Sequence, residues 1–76
     1  MTTSVIDDAE RALVRARAAD AEKYARYETT LAELYLSEAR EKQGYAQYGD
    51  ARALADDALR FANAASRKAA EHGGNK

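Results

Sequence analysis

Gly44-Tyr45-Ala46-Gln47-Tyr48-Gly49 is the only interior punctuation in a chain that otherwise reads as helix from end to end. The remaining glycines are Gly73 and Gly74, and there is no proline. Glycine and proline are the residues that interrupt helices, so this stretch divides the chain into two helical arms. Gly44 sits where a helix C-terminus favours a residue tolerant of positive φ. Lys42, in the turn before it, suits the negative end of the helix dipole. The restart is less sharply marked. Ala46 and Gln47 are poor caps and Asp50 is a good one, which places the start of the second helix between Ala46 and Asp50.

Beyond the turn, Ala51, Ala58 and Ala65 are spaced by seven, and so are Ala55, Ala62 and Ala69. Together they form an unbroken a/d seam of alanine, with Leu54, Leu59 and Phe61 beside it. The first arm repeats the pattern at Ala18, Ala25, Ala32 and Ala39, with Ala21, Glu28 and Tyr35 at the alternating step. Any alanine-rich helix shows some alanine heptads. As a packing line, however, small seam residues let two helices approach closely, because interaxial distance follows side-chain size. Tyr24, Leu31 and Leu36 flank this seam.

The expected fold is therefore all-α: an antiparallel helical hairpin with a helix over about 5–43, a turn over about 44–49 and a second helix over about 50–72. Ser4-Val5-Ile6-Asp7 has the shape of a capping box and starts the first helix near Val5. Asp7, Asp8 and Glu10 follow at the positive end of the dipole. Residues 5–72 make one domain, with residues 1–4 as a disordered leader and 73–76 as a frayed tail.

The arms are unequal. The second helix covers roughly residues 18–43, which leaves 5–17 without an intrachain partner. That overhang carries a second stripe, Ile6, Ala9, Leu13 and Ala16, with Val14 beside it. It could bind another copy or another protein, or the first arm could break near Ala19-Asp20 and fold back as a third helix. The absence of Gly and Pro there favours association. Ile6, Ala9, Leu13, Val14, Tyr24 and Tyr27 are thus the candidate partner surface, and the hairpin is expected to assemble into a helical bundle as a homo-oligomer or with an envelope protein. A thin alanine core in 76 residues supports that expectation, since small domains bury little apolar area against backbone entropy.

Composition excludes several functions. Twelve basic and thirteen acidic residues are mixed along the chain, for a net charge of -1. The basic stretch Arg11, Arg15, Arg17, Lys23 and Arg26 is interleaved with Asp20, Glu22 and Glu28, whereas nucleic acid needs an uncompensated patch. There is no cysteine, so thiolate metal sites and thiol catalysis are out. No apolar run approaches the ~20 residues of a membrane span, and Met1-Thr2-Thr3-Ser4 is not a signal peptide.

The single histidine, His72, is better read as a solvated residue near a helix end than as a metal ligand or catalyst. Asp56-Asp57 reads as a solvated face. No phosphate loop, Ser-His-acid set or metal-ligand spacing is present, so no catalytic, cofactor or metal residue is assigned and no enzyme is expected. Glu28 falls on the alanine seam, where a buried carboxylate needs a partner. A Tyr hydroxyl or an Arg of the second arm would supply one and fix the register. The five tyrosines cover the seam with their rings while their hydroxyls reach water. The alternative is an exposed aromatic platform for a glycan or peptide.

Tyr24-Ala25-Arg26-Tyr27-Glu28, Leu31-Ala32-Glu33-Leu34-Tyr35-Leu36 and Gly44-Tyr45-Ala46-Gln47-Tyr48-Gly49-Asp50-Ala51, taken together, resemble a bacterial envelope domain of unknown function. That family occurs in lipoproteins, often joined to a peptidoglycan-binding domain of the outer-membrane-protein-A type. Its pattern is Tyr-Ala-Pro-Tyr-Glu, a Leu-Ala-Glu-x-Tyr-Leu helix, a Gly-Tyr-Ser-Asp-Tyr turn and an Ala-rich helix. Arg26 stands in place of the Pro, which removes the covalent reason for a break there. Ala46 and Gly49 replace the Ser and the acidic residue that would form a capping box at the turn. The lipidation cysteine and a peptidoglycan-binding domain are missing from this chain. The resemblance implies a non-enzymatic structural or interaction module acting through helix–helix association, in the periplasm or at the outer membrane. The alternative function is a tetratricopeptide-like adaptor that binds a peptide through exposed tyrosines, although a solenoid needs about three repeats.

Overall fold

The computed structural model describes residues 4–73. The chain is all-α, and its helices pack on one another as a bundle. Helix α1 spans Val5–Ala18, the single turn α2 Ala21–Tyr24, α3 Arg26–Gly44 and α4 Tyr48–Gly73. Outside the described residues lie 1–3 of the expected leader and 74–76 of the expected tail.

Ser4 belongs to the fold and not to a leader. Its Oγ accepts a hydrogen bond from the Ile6 amide at 3.1 Å, which satisfies one of the unpaired donors of the first turn. Asp7 and Asp8 stand in that turn, and Arg15 and Arg17 in the last turn of the same helix. Both ends of α1 therefore complement its dipole.

The expected single helix over 5–43 is replaced by α1, α2 and α3. The chain leaves α1 through Ala19 and enters the left-handed region at Asp20, with φ 64° and ψ 33°. Asp20 donates its amide to the Arg17 carbonyl, and its own carbonyl accepts from Lys23 and Tyr24. It closes one helix and opens the next. Aspartate tolerates this conformation better than most residues do. A second break follows at Ala25, whose φ of -140° and ψ of 52° leave the helical region before α3 begins.

The phase of the apolar stripes explains the break. Continued at the same three-four step, Ile6, Ala9, Leu13 and Ala16 would lead to Asp20, Lys23, Tyr27 and Thr30, all exposed. The buried residues that follow are instead Ala21, Ala25, Thr29, Ala32, Leu36 and Ala39. A straight helix would aim these two stripes in different directions and could not lay both on α4. Holding Asp20 left-handed costs about 1–2 kcal/mol. Burial of Ile6 and Leu13 alone is worth about 1.5–3 kcal/mol each, so the bend is favoured without Gly or Pro.

The result is a three-helix bundle. Tyr35 stacks on Phe61 and Glu28 pairs with Lys68, which sets α3 antiparallel to α4. Glu10 pairs with Arg40 and Arg17 with Glu33, which sets α1 antiparallel to α3. Val5 and Ile6 lie by Ala51 and Arg52, and Ala16 lies by Ala65 and Ala69, so α1 runs parallel to α4.

The seam expected on α4 is buried throughout, from Ala51 to Ala69. Apart from Ile6, Leu13 and Leu36, the buried apolar side chains among the described residues are all alanine. Alanine suits α4 because α1 and α3 both pack closely on it. Ala25, Ala32 and Ala39 are buried as expected, but Ala18 is exposed. It ends α1, before the break brings the α3 seam into phase.

The turn also differs from expectation. Neither Gly44 nor Gly49 has positive φ; Ala46 does, at 61°. The Gln47 amide reaches the Lys42 carbonyl at 2.9 Å and the Ala46 amide reaches Gln43 at 3.0 Å. This is a Schellman closure with alanine at the position that usually holds glycine. Ala46→Gly should raise stability by about 1 kcal/mol by removing the left-handed penalty, and thermal melting should shift up by about 4–8 °C. An unchanged or lower midpoint would show that Ala46 is not held left-handed. The second helix starts at Tyr48, inside the expected window from Ala46 to Asp50.

Candidate functional site

Folding back of α1 redistributes the expected partner surface. Ile6, Ala9 and Leu13 are buried against α4 and α3 and are closed to a partner. Tyr24 is half-buried and stacks on His72, with ring centroids 5.7 Å apart. Only Val14 and Tyr27 remain open, at 62% and 70% exposure. The uncovered arm does not exist as such, because the same chain supplies its cover.

The tyrosines divide. Tyr24 and Tyr35 pack, the latter with its ring 5.6 Å from Phe61 and nearly parallel to it. Tyr27, Tyr45 and Tyr48 stand in solvent. Tyr45 and Tyr48 flank the Schellman turn, one on each side of the αL residue Ala46. Tyr48 also borders an open crevice of about 280 Å³, whose other walls are Ser4, Val5 and Ile6 from the start of α1, Gln43 from the end of α3, and Ala51 and Arg52 from α4. The crevice exists because the parallel course of α1 and α4 brings two helix starts to the same end as the α3–α4 turn. Sequence patterning placed the tyrosines at the turn, but the α1 side of the crevice follows only from the bend at Asp20.

Glu28 does find a partner on the second arm, a lysine where Tyr or Arg was expected. Its Oε2 lies 3.5 Å from Lys68 Nζ, while Oε1 is buried without a protein partner. The pair ties α3 to α4 in one register. Arg17 is shared by Glu33 of α3 and Glu22 of α2. Its hydrogen bond to Glu33, aided by Glu22, holds the guanidinium above its ordinary range against a smaller opposing effect of burial. Surface pairs of this kind contribute only about 0–1 kcal/mol each, so their placement matters more than their strength.

Among the described residues, no group of three His, Cys, Asp or Glu side chains is placed to hold a metal ion. No helix among them is long and apolar enough to cross a membrane. His72 is exposed at the end of α4, against Tyr24. Compared with family models, with curated proteins and with solved structures, the chain gives no match. Fold and surface define a small all-α bundle with an aromatic end.

Proposed function

We propose that this chain is a non-enzymatic protein-interaction module whose contact surface is the tyrosine end of the bundle. The observation that carries the proposal is the exposure of Tyr45 and Tyr48 on either side of the α3–α4 turn, 71% and 65%, with the crevice that Tyr48 lines. Exposed aromatic rings are costly to leave in water and are enriched in protein interfaces, as is arginine. The crevice offers a place where a partner side chain would insert. Tyr48 and Arg52 at its edge would cover that anchor and exclude water around it.

The envelope setting, in the periplasm or at the outer membrane as part of a lipoprotein, rests on the resemblance over about residues 12–70, whose quoted motifs lie within Tyr24 to Ala51. The helix break between Tyr24 and Arg26 supports it, because the family pattern has its Pro at that place. The peptide-adaptor alternative is less favoured. A peptide laid across the α3–α4 hairpin would need the face that α1 occupies.

A photo-crosslinking residue placed at 48 in the source cell should give a discrete protein adduct, and Arg52→Glu should suppress it. The same probe at the equally exposed Tyr27 should give none. Equal labelling from 27 and 48 would overturn the assignment of the surface. A cytosolic partner would overturn the envelope setting while leaving the interaction surface in place.

A further inference from the structure

Between α1 and α3 the bundle leaves an open groove floored by Leu13 and Leu36, with Val14 at its lip. Val14 is 62% exposed, an apolar side chain in water on a helix whose other large apolar residues are covered. Four charges mark the corners of this groove. Helix α1 contributes Glu10 and Arg17, and α3 contributes Arg40 and Glu33. Because the two helices are antiparallel, Glu10 stands opposite Arg40 and Arg17 opposite Glu33. The signs therefore alternate around the square.

An alternating square is complementary to itself. Turned over about a two-fold axis in the plane of the groove, along the helices or across them, it sets every positive corner over a negative one. Closed two-fold dimers are the commonest oligomers, and their interfaces must be self-complementary in this way. Complementary charge also steers encounter and sets register. The corner side chains keep between 39% and 52% of their surface open, so each can bond a second molecule without leaving its intrachain partner.

We infer that the α1–α3 groove is a homodimer face, on which a second copy of the chain seats its own groove. The two exposed Val14 side chains form the apolar centre, above Leu13 and Leu36, which stay in the core of each copy, and the four corner charges of each copy form the rim. The groove lies along the side of the bundle, apart from Tyr45 and Tyr48, so this association is independent of what the tyrosine end binds.

Sedimentation equilibrium of the intact chain, up to about 1 mM, tests the inference. The wild type should show a monomer–dimer equilibrium that weakens as salt is raised, since rim charges are screened. Val14→Glu should raise the dimer dissociation constant at least about tenfold while thermal melting at low concentration stays unchanged, because Val14 is exposed in the monomer. Glu10→Lys combined with Glu33→Lys makes all four corners positive and should abolish the dimer for either choice of axis. Circular dichroism confirms that each variant is folded. A wild type that is monomeric across the whole range overturns the inference, and so does either folded variant that associates as tightly as the wild type.

Discussion

Leu13→Ala should destabilise the fold by about 2–5 kcal/mol, the range for truncating a buried leucine. Leu13 is 4% exposed and belongs to the cluster formed with Ile6, Leu36 and the α4 alanines. Its loss removes apolar burial and leaves a cavity that a rigid three-helix contact cannot close. Domains of this size hold only a few kcal/mol in reserve, so the variant should be largely unfolded near room temperature or melt tens of degrees earlier. The neighbouring Val14→Ala is the control. Exposed substitutions usually stay within about 0.5 kcal/mol, so its urea midpoint should match the wild type in dilute solution. The contrast between adjacent positions is specific to the folded-back α1. If α1 projected from a hairpin, neither substitution would change stability much, and equal small effects at the two sites would refute the bend at Asp20.

The second large effect is expected at Ala58→Leu. Ala58 is 1% exposed and packs in the same cluster as residues of α1 and α3. Three added carbons must push α4 away from two helices at once, and overpacking of this kind costs about 1–3 kcal/mol. Ala53→Leu, on the exposed side of the same helix, adds the same atoms to solvent and should leave the melting temperature nearly unchanged. A melting temperature that Ala58→Leu leaves in place would put that alanine outside the core and break the seam assignment. A compensating Leu13→Ala in the Ala58→Leu background should recover part of the loss if the two side chains share space, a coupling that a double-mutant cycle measures directly.

These substitutions bear on why the helical arms were readable and their arrangement was not. The stripe Ile6, Ala9, Leu13 and Ala16 was visible as periodicity, and all four residues are buried. What periodicity could not supply was their partner. The missing clue was a slip of phase between Ala16 and Ala21, where the stripe would otherwise run into Asp20 and Lys23. No Gly or Pro marks the break, because tertiary burial outweighs local helix preference there. Ala18 was misplaced for the same reason: it lies in heptad step with Ala25 but on the far side of the break. At the turn, glycine chemistry pointed to Gly44, while the chain places its left-handed residue at Ala46. The helix runs on through Gly44 with Tyr45 as its cap, which moves the left-handed position to Ala46, because helix ends are set by packing as well as by caps.

Composition and spacing suffice to read an all-α chain whose helices meet along alanine, a reversal at residues 44–49, and tyrosines on either side of that reversal. Those properties are local: propensity, spacing and the few residues able to end a helix. Tertiary structure alone decided that α1 folds back, that Ile6 and Leu13 serve the core, and that the start of α1 joins Tyr48 and Arg52 around one crevice. It also set Glu10, Arg17, Glu33 and Arg40 in a square of alternating charge. The physical reason is that a helix stripe records which side must be buried and says nothing of what buries it. Only the competition between a strained residue at Asp20 and the apolar surface it lets the chain cover selects the partner.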